Sequence, residues 1–525
     1  MQKRNGAPSL QDEKKWYTGS TACKNLQRAA ADVCRDTIRQ RLSESPFVGI
    51  MIDESIDIAT QKKLVIIFKI LVDGQPQVVF GTNCEVTDGK SDTIVNALRK
   101  YLTSVGLNLE KVIGIGTDGA NVMVGCKNGV TTVLQRLQTS MVSVWCCAHR
   151  LALVAHWAAK EIESLKKIQE VLVGIFNFFK YSPVRSNKLK ELKKIMDEKV
   201  KRFKKPTAVR WLSLHEAVEA AEVSWGTLVL TLEHAATEKD ATATGLLKEV
   251  KTYKFIATLC LLRDVLDAVT ITSKVFQRDQ IDIEDASRSL KALLDHIASL
   301  QEADGQHLER LHRSLEAETP EYQGISFTCT NAQKETTKAT CKKFVDKIKA
   351  ETARRFPEED MKKLKALDRV LNPKHLPRSV KGITDYGADD LKALIQAFPQ
   401  LDGTRATKNY RQFKFLLNNN RDLNLKGMTM KVLELHKDDF PDFAILSSIS
   451  LVIPLTSVPC ERAFSVQNSV KNNKRNRIGL ENLDNKMLII SERKLLEKNA
   501  GFKDKSSNYP MPQSFVSQAV AKFNE

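Results

Sequence analysis

A change of period along the chain constrains the fold most. Between residues 47 and 145 the apolar residues fall in five short runs: Phe47–Ile52, Leu64–Leu71, Gln77–Thr82, Lys111–Gly116 and Val142–Trp145. Runs of this length, bounded by turn residues, are what strands buried on both faces look like. Asp73-Gly74, between the second and third runs, is a two-residue hairpin turn. A helix is expected from Ser91, read as its cap, through Ile94, Leu98, Leu102 and Val105 to a stop at Gly106. Two more follow, from about Ala120 to Leu137 and from Ala148. Three strands joined by tight turns, then helices between the later strands, place antiparallel and parallel pairs in one α/β sheet.

Outside that stretch the period is helical. Residues 9–44 read as a helix ended by Ser45-Pro46. From about 160 to 435 the apolar residues recur at three and four, as in Ile162, Leu165, Ile168, Leu172 and Ile175, and again in Leu259, Leu262, Val265, Leu266 and Val269. Polar stretches near 300–345 and 402–428 read as loops. Strand-like runs return at Phe443–Leu446 and Ile449–Pro454. A helix then begins near Ser457, with Pro459 in its first turn. The expected domains are a helical segment over 1–46, the first part of the sheet domain over 47–160, and a helical insertion over 161–435. The last part of the sheet domain is expected over 436–500 and a tail over 501–525. The strand order is that of RNase H-like sheets, so the expected fold is α/β: an RNase H-like mixed sheet interrupted by a large all-α insertion domain.

At 525 residues the chain exceeds one compact core. No apolar run reaches the roughly 18–20 residues that span a bilayer, so no membrane partner is expected. Met1–Gly6 is polar with no apolar stretch behind it, which points to the nucleus first and the cytoplasm second. Ten cysteines include no Cys-x-x-Cys pair, so they read as reduced, small core residues, and no zinc is expected. A formal charge of +18 favours a polyanionic partner, DNA first.

Asp53 follows the first run and Asp118 the fourth. In an RNase H-like sheet these strands are neighbours, so two carboxylates distant in sequence meet. Gly114, Gly116 and Gly119 leave room beside the second for a backbone or a substrate. Paired carboxylates at strand ends suit Mg²⁺, and two such ions about 3.5–4 Å apart serve phosphodiester cleavage. Each aspartate alone also suits a turn. A third carboxylate is required, and sequence proximity does not identify it.

Ser457-Val458-Pro459-Cys460-Glu461-Arg462-Ala463-Phe464-Ser465 resembles the signature of hAT-family transposases, a serine followed by Glu-Arg-x-Phe-Ser. Asp53-Glu54-Ser55-Ile56-Asp57 and Thr117-Asp118-Gly119-Ala120-Asn121 resemble the family's first two catalytic blocks. Cys146-Cys147-Ala148-His149 is similar to its Cys-x-x-His block and Arg210-Trp211 to its Arg-Trp block. Lys474-Arg475-Asn476-Arg477-Ile478 and the apolar helix behind it are similar to its C-terminal dimerisation region. The resemblance implies that Glu461 completes the catalytic and metal set with Asp53 and Asp118. It implies nucleic-acid contacts at His149, Arg210 and Trp211, the last by base stacking. Lys471, Lys474, Arg475 and Arg477 read as phosphate contacts. Leu480, Leu483, Met487 and Ile490 form one apolar helix face that docks on the chain's own core or on a second subunit, and the resemblance favours a homodimer or higher homo-oligomer. The family's BED-type zinc finger is not found in this sequence. The expectation is therefore a domesticated or truncated transposase-derived protein that dimerises and binds nucleic acid. An active Mg²⁺-dependent transposase or nuclease, and a protein-interaction scaffold, are the alternatives.

Overall fold

The structure, a computed structural model, describes residues 19–195, 203–205, 211–317, 319–327, 329–499, 518, 519 and 521–523. The chain divides into two compact units. One holds residues up to 146, 279–284 and 362 onward; the other holds 147–278 and 285–361.

The first unit is built on α1 (Ser20–Glu44), β1 (Val48–Ile56), β2 (Lys62–Val72), β3 (Gln75–Glu85), α2 (Ser91–Ser104), β4 (Val112–Thr117), α3 (Asn121–Val124), α4 (Val130–Leu137) and β5 (Val142–Trp145). The sheet order is β3-β2-β1-β4-β5. β1, β2 and β3 pair antiparallel, while β1, β4 and β5 pair parallel. All five expected strands are present. Asp73 and Gly74 both take positive φ, which makes the expected hairpin turn. Gly106, at φ 72°, ends α2.

Three local expectations change. β1 runs on to Ile56, because Asp53–Ile56 continue the ladder opposite Lys62–Val65, so Asp53 lies within the strand. Ser91 is the first helical residue rather than the cap, and its hydroxyl donates to the Val122 carbonyl at 3.0 Å. The helix expected over 120–137 is broken into α3 and α4 at Gly125–Gly129, where Gly is the costliest helix residue after Pro.

The same unit resumes with α15 (Lys362–Leu371), α16 (Val380–Asp385), α17 (Ala388–Ala397), α18 (Gly403–Asn418), α19 (Leu425–Leu435), α20 (Pro441–Val452), α21 (Val458–Val470) and α22 (Leu480–Asn499). Residues 362–435, expected in the insertion, thus belong with the sheet. The strand-like runs at 443–452 are the helix α20. Phe443, Leu446, Ile449, Leu451 and Val452 are buried on all sides of it, so no polar stripe betrays the helical period. Within 402–428, expected as loop, Asp402 caps α18 by accepting the Thr404 and Arg405 N–H groups, and Tyr410, Phe413 and Leu417 anchor it.

α22 covers the edge strand β3. Asp484 accepts the Asn83 N–H at 2.8 Å and Glu492 the Phe80 N–H at 2.7 Å, which satisfies an otherwise open sheet edge. Burial pushes the Glu492 carboxyl up to about 7, against that bond. Arg35 of α1 pairs with Asp484 at 2.9 Å and ties α1 to the same helix.

The second unit is helical, running from α5 (Cys147–Lys160) through α8 (Trp211–Val223) and α11 (Tyr253–Phe276) to α14 (Asn331–Arg355), with one short hairpin at 321–326. Its core includes Trp225, Leu228, Leu259, Leu262, Phe276 and Phe344. The polar stretch 300–345, expected as loop, carries the helix Gln306–Leu315 and most of α14, which Thr330 and Gln333 start with a capping box. Among the described residues no helix is long and apolar enough to cross a membrane.

Candidate functional site

Register brings the two aspartates level. Met51 of β1 pairs with Gly116 of β4 in parallel. Asp53 and Asp118 each lie two residues farther on, and residues two apart along a strand share a face. Asp53 sits inside β1 and Asp118 just past the end of β4.

Three glycines on that face, Gly49, Gly114 and Gly116, admit a crossing segment. A Cβ on Gly49 would collide with the Val452 carbonyl, one on Gly114 would crowd Pro454 and Ile453, and one on Gly116 would crowd Pro454. The room noted in the sequence beside Asp118 is thus filled by the chain itself, and at Gly119 by the Trp145 ring. The buried Lys69 of β2 donates to the Ile453 carbonyl at 3.1 Å and holds the crossing down. Burial lowers its ammonium to about 8.

The crossing ends at Ser457, whose N–H donates to the buried Cys146 sulfur at 3.3 Å. α21 begins there, with Pro459 in its first turn as expected and Glu461 beside it. The rest of the Glu-Arg-x-Phe-Ser signature is structural. Phe464 enters the core, the Ser465 hydroxyl donates to the Glu461 carbonyl at 3.1 Å, and Arg462 pairs with Asp279.

Asp53 records the result. Burial pushes its carboxyl up to about 7, and the charges of Asp118, Glu461 and Glu54 add to the rise against a bond from the Glu54 N–H. That bond is 2.8 Å, and Asp118 accepts the Ala120 N–H at 3.2 Å. Glu54 is held aside by Lys62 at 2.9 Å. An oxygen-only set of mutually repelling carboxylates has the donor chemistry that hard divalent cations take. As the side chains stand, no three His, Cys, Asp or Glu among the described residues are grouped to hold a metal ion.

Of the other expected site residues, those described lie on other elements. His149 lies half-buried on α5 of the helical unit. Trp211 is the first residue of α8. Arg210 lies outside the described residues, as does the side chain of Trp211. Lys474, Arg475 and Arg477 are exposed.

Lys471 is a correction. It is buried and donates to Asp57 Oδ2 at 2.7 Å, so it turns inward rather than toward phosphate. Burial alone would raise the Asp57 carboxyl, but bonds from Lys471 and from the Gln61 and Ala59 N–H groups outweigh it and hold it below the usual range. The apolar face of α22 also divides. Leu483 and Met487 are fully buried in the chain's own core and present nothing to a second subunit, whereas Leu480 and Ile490 are exposed at 39% and 47%.

Comparison with known families agrees with this layout. Residues 3–129 match the family described as ZMYM1/FAM200, RNase-like domain, and residues 411–495 match the hAT family C-terminal dimerisation region, which supports homodimer formation. The first match covers β1 to α3, with Asp53 and Asp118, and the second covers α19 to α21 and most of α22, with Glu461. Together the two matches support an hAT transposase-derived protein.

Proposed function

We propose that the protein is a dimeric, DNA-binding protein of the nucleus whose RNase H-like unit acts on phosphodiester bonds, with Asp53, Asp118 and Glu461 as its catalytic and Mg²⁺-holding residues. The observation that carries this is positional. Parallel register sets Asp53 beside Asp118, and a glycine-floored crossing delivers Glu461 from 343 residues beyond Asp118. Keeping like charges close to the half-buried Asp53 opposes folding, and a site for cations accounts for that cost. Bound Mg²⁺ would supply Lewis acidity and an activated attacking oxygen. The formal charge of +18 fits a DNA partner. His149, Arg210 and Trp211 belong to this reading as nucleic-acid contacts, the tryptophan by stacking worth about 1–3 kcal/mol per base.

The expected result is Mg²⁺-dependent cleavage of nicked or hairpin DNA, which Glu461→Gln lowers by a factor on the order of 10³ or more while leaving binding intact. A second reading, binding without cutting, is favoured by the turn bonds that Asp53 and Asp118 already accept. Absence of cleavage in Mg²⁺ and Mn²⁺ by a chain that binds the same DNA would establish it.

For the dimer, Leu480→Asp with Ile490→Asp is expected to lower the mass seen in sedimentation, with a fall in Tm no larger than the lost association contributes. Leu483→Ala is expected to cost about 2–5 kcal/mol of stability, because it opens a cavity in the chain's own core. An unchanged mass in the Leu480/Ile490 double variant would move the interface elsewhere.

A further inference from the structure

The buried pair Asp57–Lys471 joins two segments that the proposed chemistry leaves unexplained. Asp57 uses its two oxygens differently. Oδ1 accepts the Ala59 and Gln61 N–H groups at 2.8 and 3.0 Å and folds the turn between β1 and β2. Oδ2 accepts Lys471 at 2.7 Å, at the start of the loop after α21. The two side chains are 1% and 4% exposed. Lys63 stands 3.9 Å from the same carboxylate but is committed to Glu85 at 2.8 Å. A basic loop is therefore fastened to a hairpin tip.

What the junction presents to solvent is of mixed character. The tip carries Ile56 and Ile58, exposed at 61% and 46%. The loop carries Lys474, Arg475 and Arg477, all exposed. Two bare aliphatic side chains on the tip and three cations on the loop fastened to it match a polynucleotide backbone, which offers phosphates to the cations and sugar or base edges to the aliphatics.

The distance to the carboxylates follows from chain geometry. From Glu461 to Lys471 is ten residues of helix, about 15 Å at 1.5 Å per residue. From Asp53 to Asp57 is four residues of strand, about 13 Å at 3.3 Å per residue. The near-equality lets α21 run beside β1, with Glu461 sensed by Asp53 at one end and Lys471 bound to Asp57 at the other.

We propose that the β1–β2 hairpin tip and the loop 471–477 form one surface that grips the backbone of a DNA strand about 13–15 Å from Asp53, roughly four base-pair rises along the axis of a B-form duplex, with Asp57–Lys471 as its positioning pair. The proposal rests on the DNA-binding reading above.

The test uses the full chain and a fluorescent 30-base-pair duplex, with and without a single-stranded flap, titrated by anisotropy between 50 and 200 mM salt. Lys474→Ala/Arg475→Ala/Arg477→Ala is expected to reduce the slope of log K against log salt by about 2.7 on duplex, at about 0.9 per lost phosphate contact. Ile56→Ser/Ile58→Ser is expected to weaken binding with the slope unchanged, since no counterion is involved. Asp57→Asn/Lys471→Met is the decisive variant. It leaves net charge unchanged, and the asparagine Oδ1 can still accept the turn bonds. Its affinity is expected to fall at least tenfold while the rise in Tm on adding Mg²⁺ stays as in the parent. Parental affinity in both the pair variant and the isoleucine variant overturns the proposal. It would point the aliphatic tip toward a protein partner and leave the loop as undirected charge. If the pair variant does not fold, the isoleucine and triple-alanine variants decide alone, because all five of their residues are exposed. A parent chain that binds neither duplex at 50 mM salt instead removes the DNA-binding reading itself.

Discussion

Asp53→Asn is expected to stabilise the metal-free chain at pH 8–9 by about 2–4 kcal/mol and to change little at pH 4. The Asp53 carboxyl stands at about 7 in the fold, against an ordinary value of 3.8. A group whose folded pKa is raised contributes fully below the unfolded value and loses that contribution as pH rises through the folded one. Below about pH 4 the aspartic acid is neutral in both states, like asparagine. Between 4 and 7 the parent loses stability, because the folded chain holds a proton that the unfolded chain has released. Above 7 the cost is complete, and a rise of about three pKa units corresponds to roughly 4 kcal/mol at most. Asparagine can keep the bond from the Glu54 N–H through its own oxygen. Thermal melts in chelator from pH 4 to 9 measure the difference. Adding Mg²⁺ is expected to reverse the order of the two Tm values, because a ligand stabilises only the chain that binds it. A variant no more stable than the parent at pH 9 would mean that the Asp53 carboxylate is neither desolvated nor crowded by like charge in solution.

The same residue shows what the sequence made legible. The five strands announced themselves because each apolar run is bounded by turn residues. Asp53 and Asp118 could be paired from strand order alone. Glu461 had no such handle. It stands in the first turn of a helix, and its place depends on Val452–Pro454 lying over three glycines, a contact between segments about 340 and 400 residues apart. Only the signature around it pointed there. α20 was misread because full burial erases the polar stripe that marks a helix. α14 was misread for the opposite reason. Its exposed surface is so polar that Cys341, Phe344, Val345 and Ile348 alone mark the buried side.

α22 carries a related lesson. Spacing set Leu480, Leu483, Met487 and Ile490 on one face, and that reading left open which body the face meets. In the fold the face divides. Leu483 and Met487 are fully buried, and the Asn83 side-chain amide of β3 donates to the Met487 sulfur at 3.2 Å. Leu480 and Ile490, toward the two ends of the same face, stay in solvent. A stripe continuous in sequence is therefore shared between folding and whatever covers its ends, and a charged substitution acts on one or the other according to position.

Lys471→Met is expected to cost the sheet unit about 3 kcal/mol, near the lower end of the 3–5 kcal/mol range for removing one partner of a buried ion pair. The methionine fills most of the space but leaves Asp57 buried, with Lys63 at 3.9 Å as its nearest remaining cation. That distant charge places the loss at the low end. For a unit of roughly 300 residues, with about 2.1 cal/mol/K of unfolding entropy per residue, the fall in Tm is roughly 4–5 °C. Adding Asp57→Asn is expected to restore most of it, since losing both charges removes the uncompensated one, and the coupling in the double-mutant cycle then measures the pair. The pH dependence has a definite sign. Asp57 is held below its ordinary range, so its contribution is present above about pH 4 and is lost as pH falls through the lower folded value. The gap between parent and Lys471→Met is thus expected to be steady from pH 5 to 8 and to close in more acid solution, where the stranded carboxylate takes up a proton. A gap that stays constant to pH 2 would place the loss in side-chain packing rather than in the ion pair. A Lys471→Met chain as stable as the parent at pH 7 would mean that Lys471 faces solvent and belongs with Lys474, Arg475 and Arg477 after all.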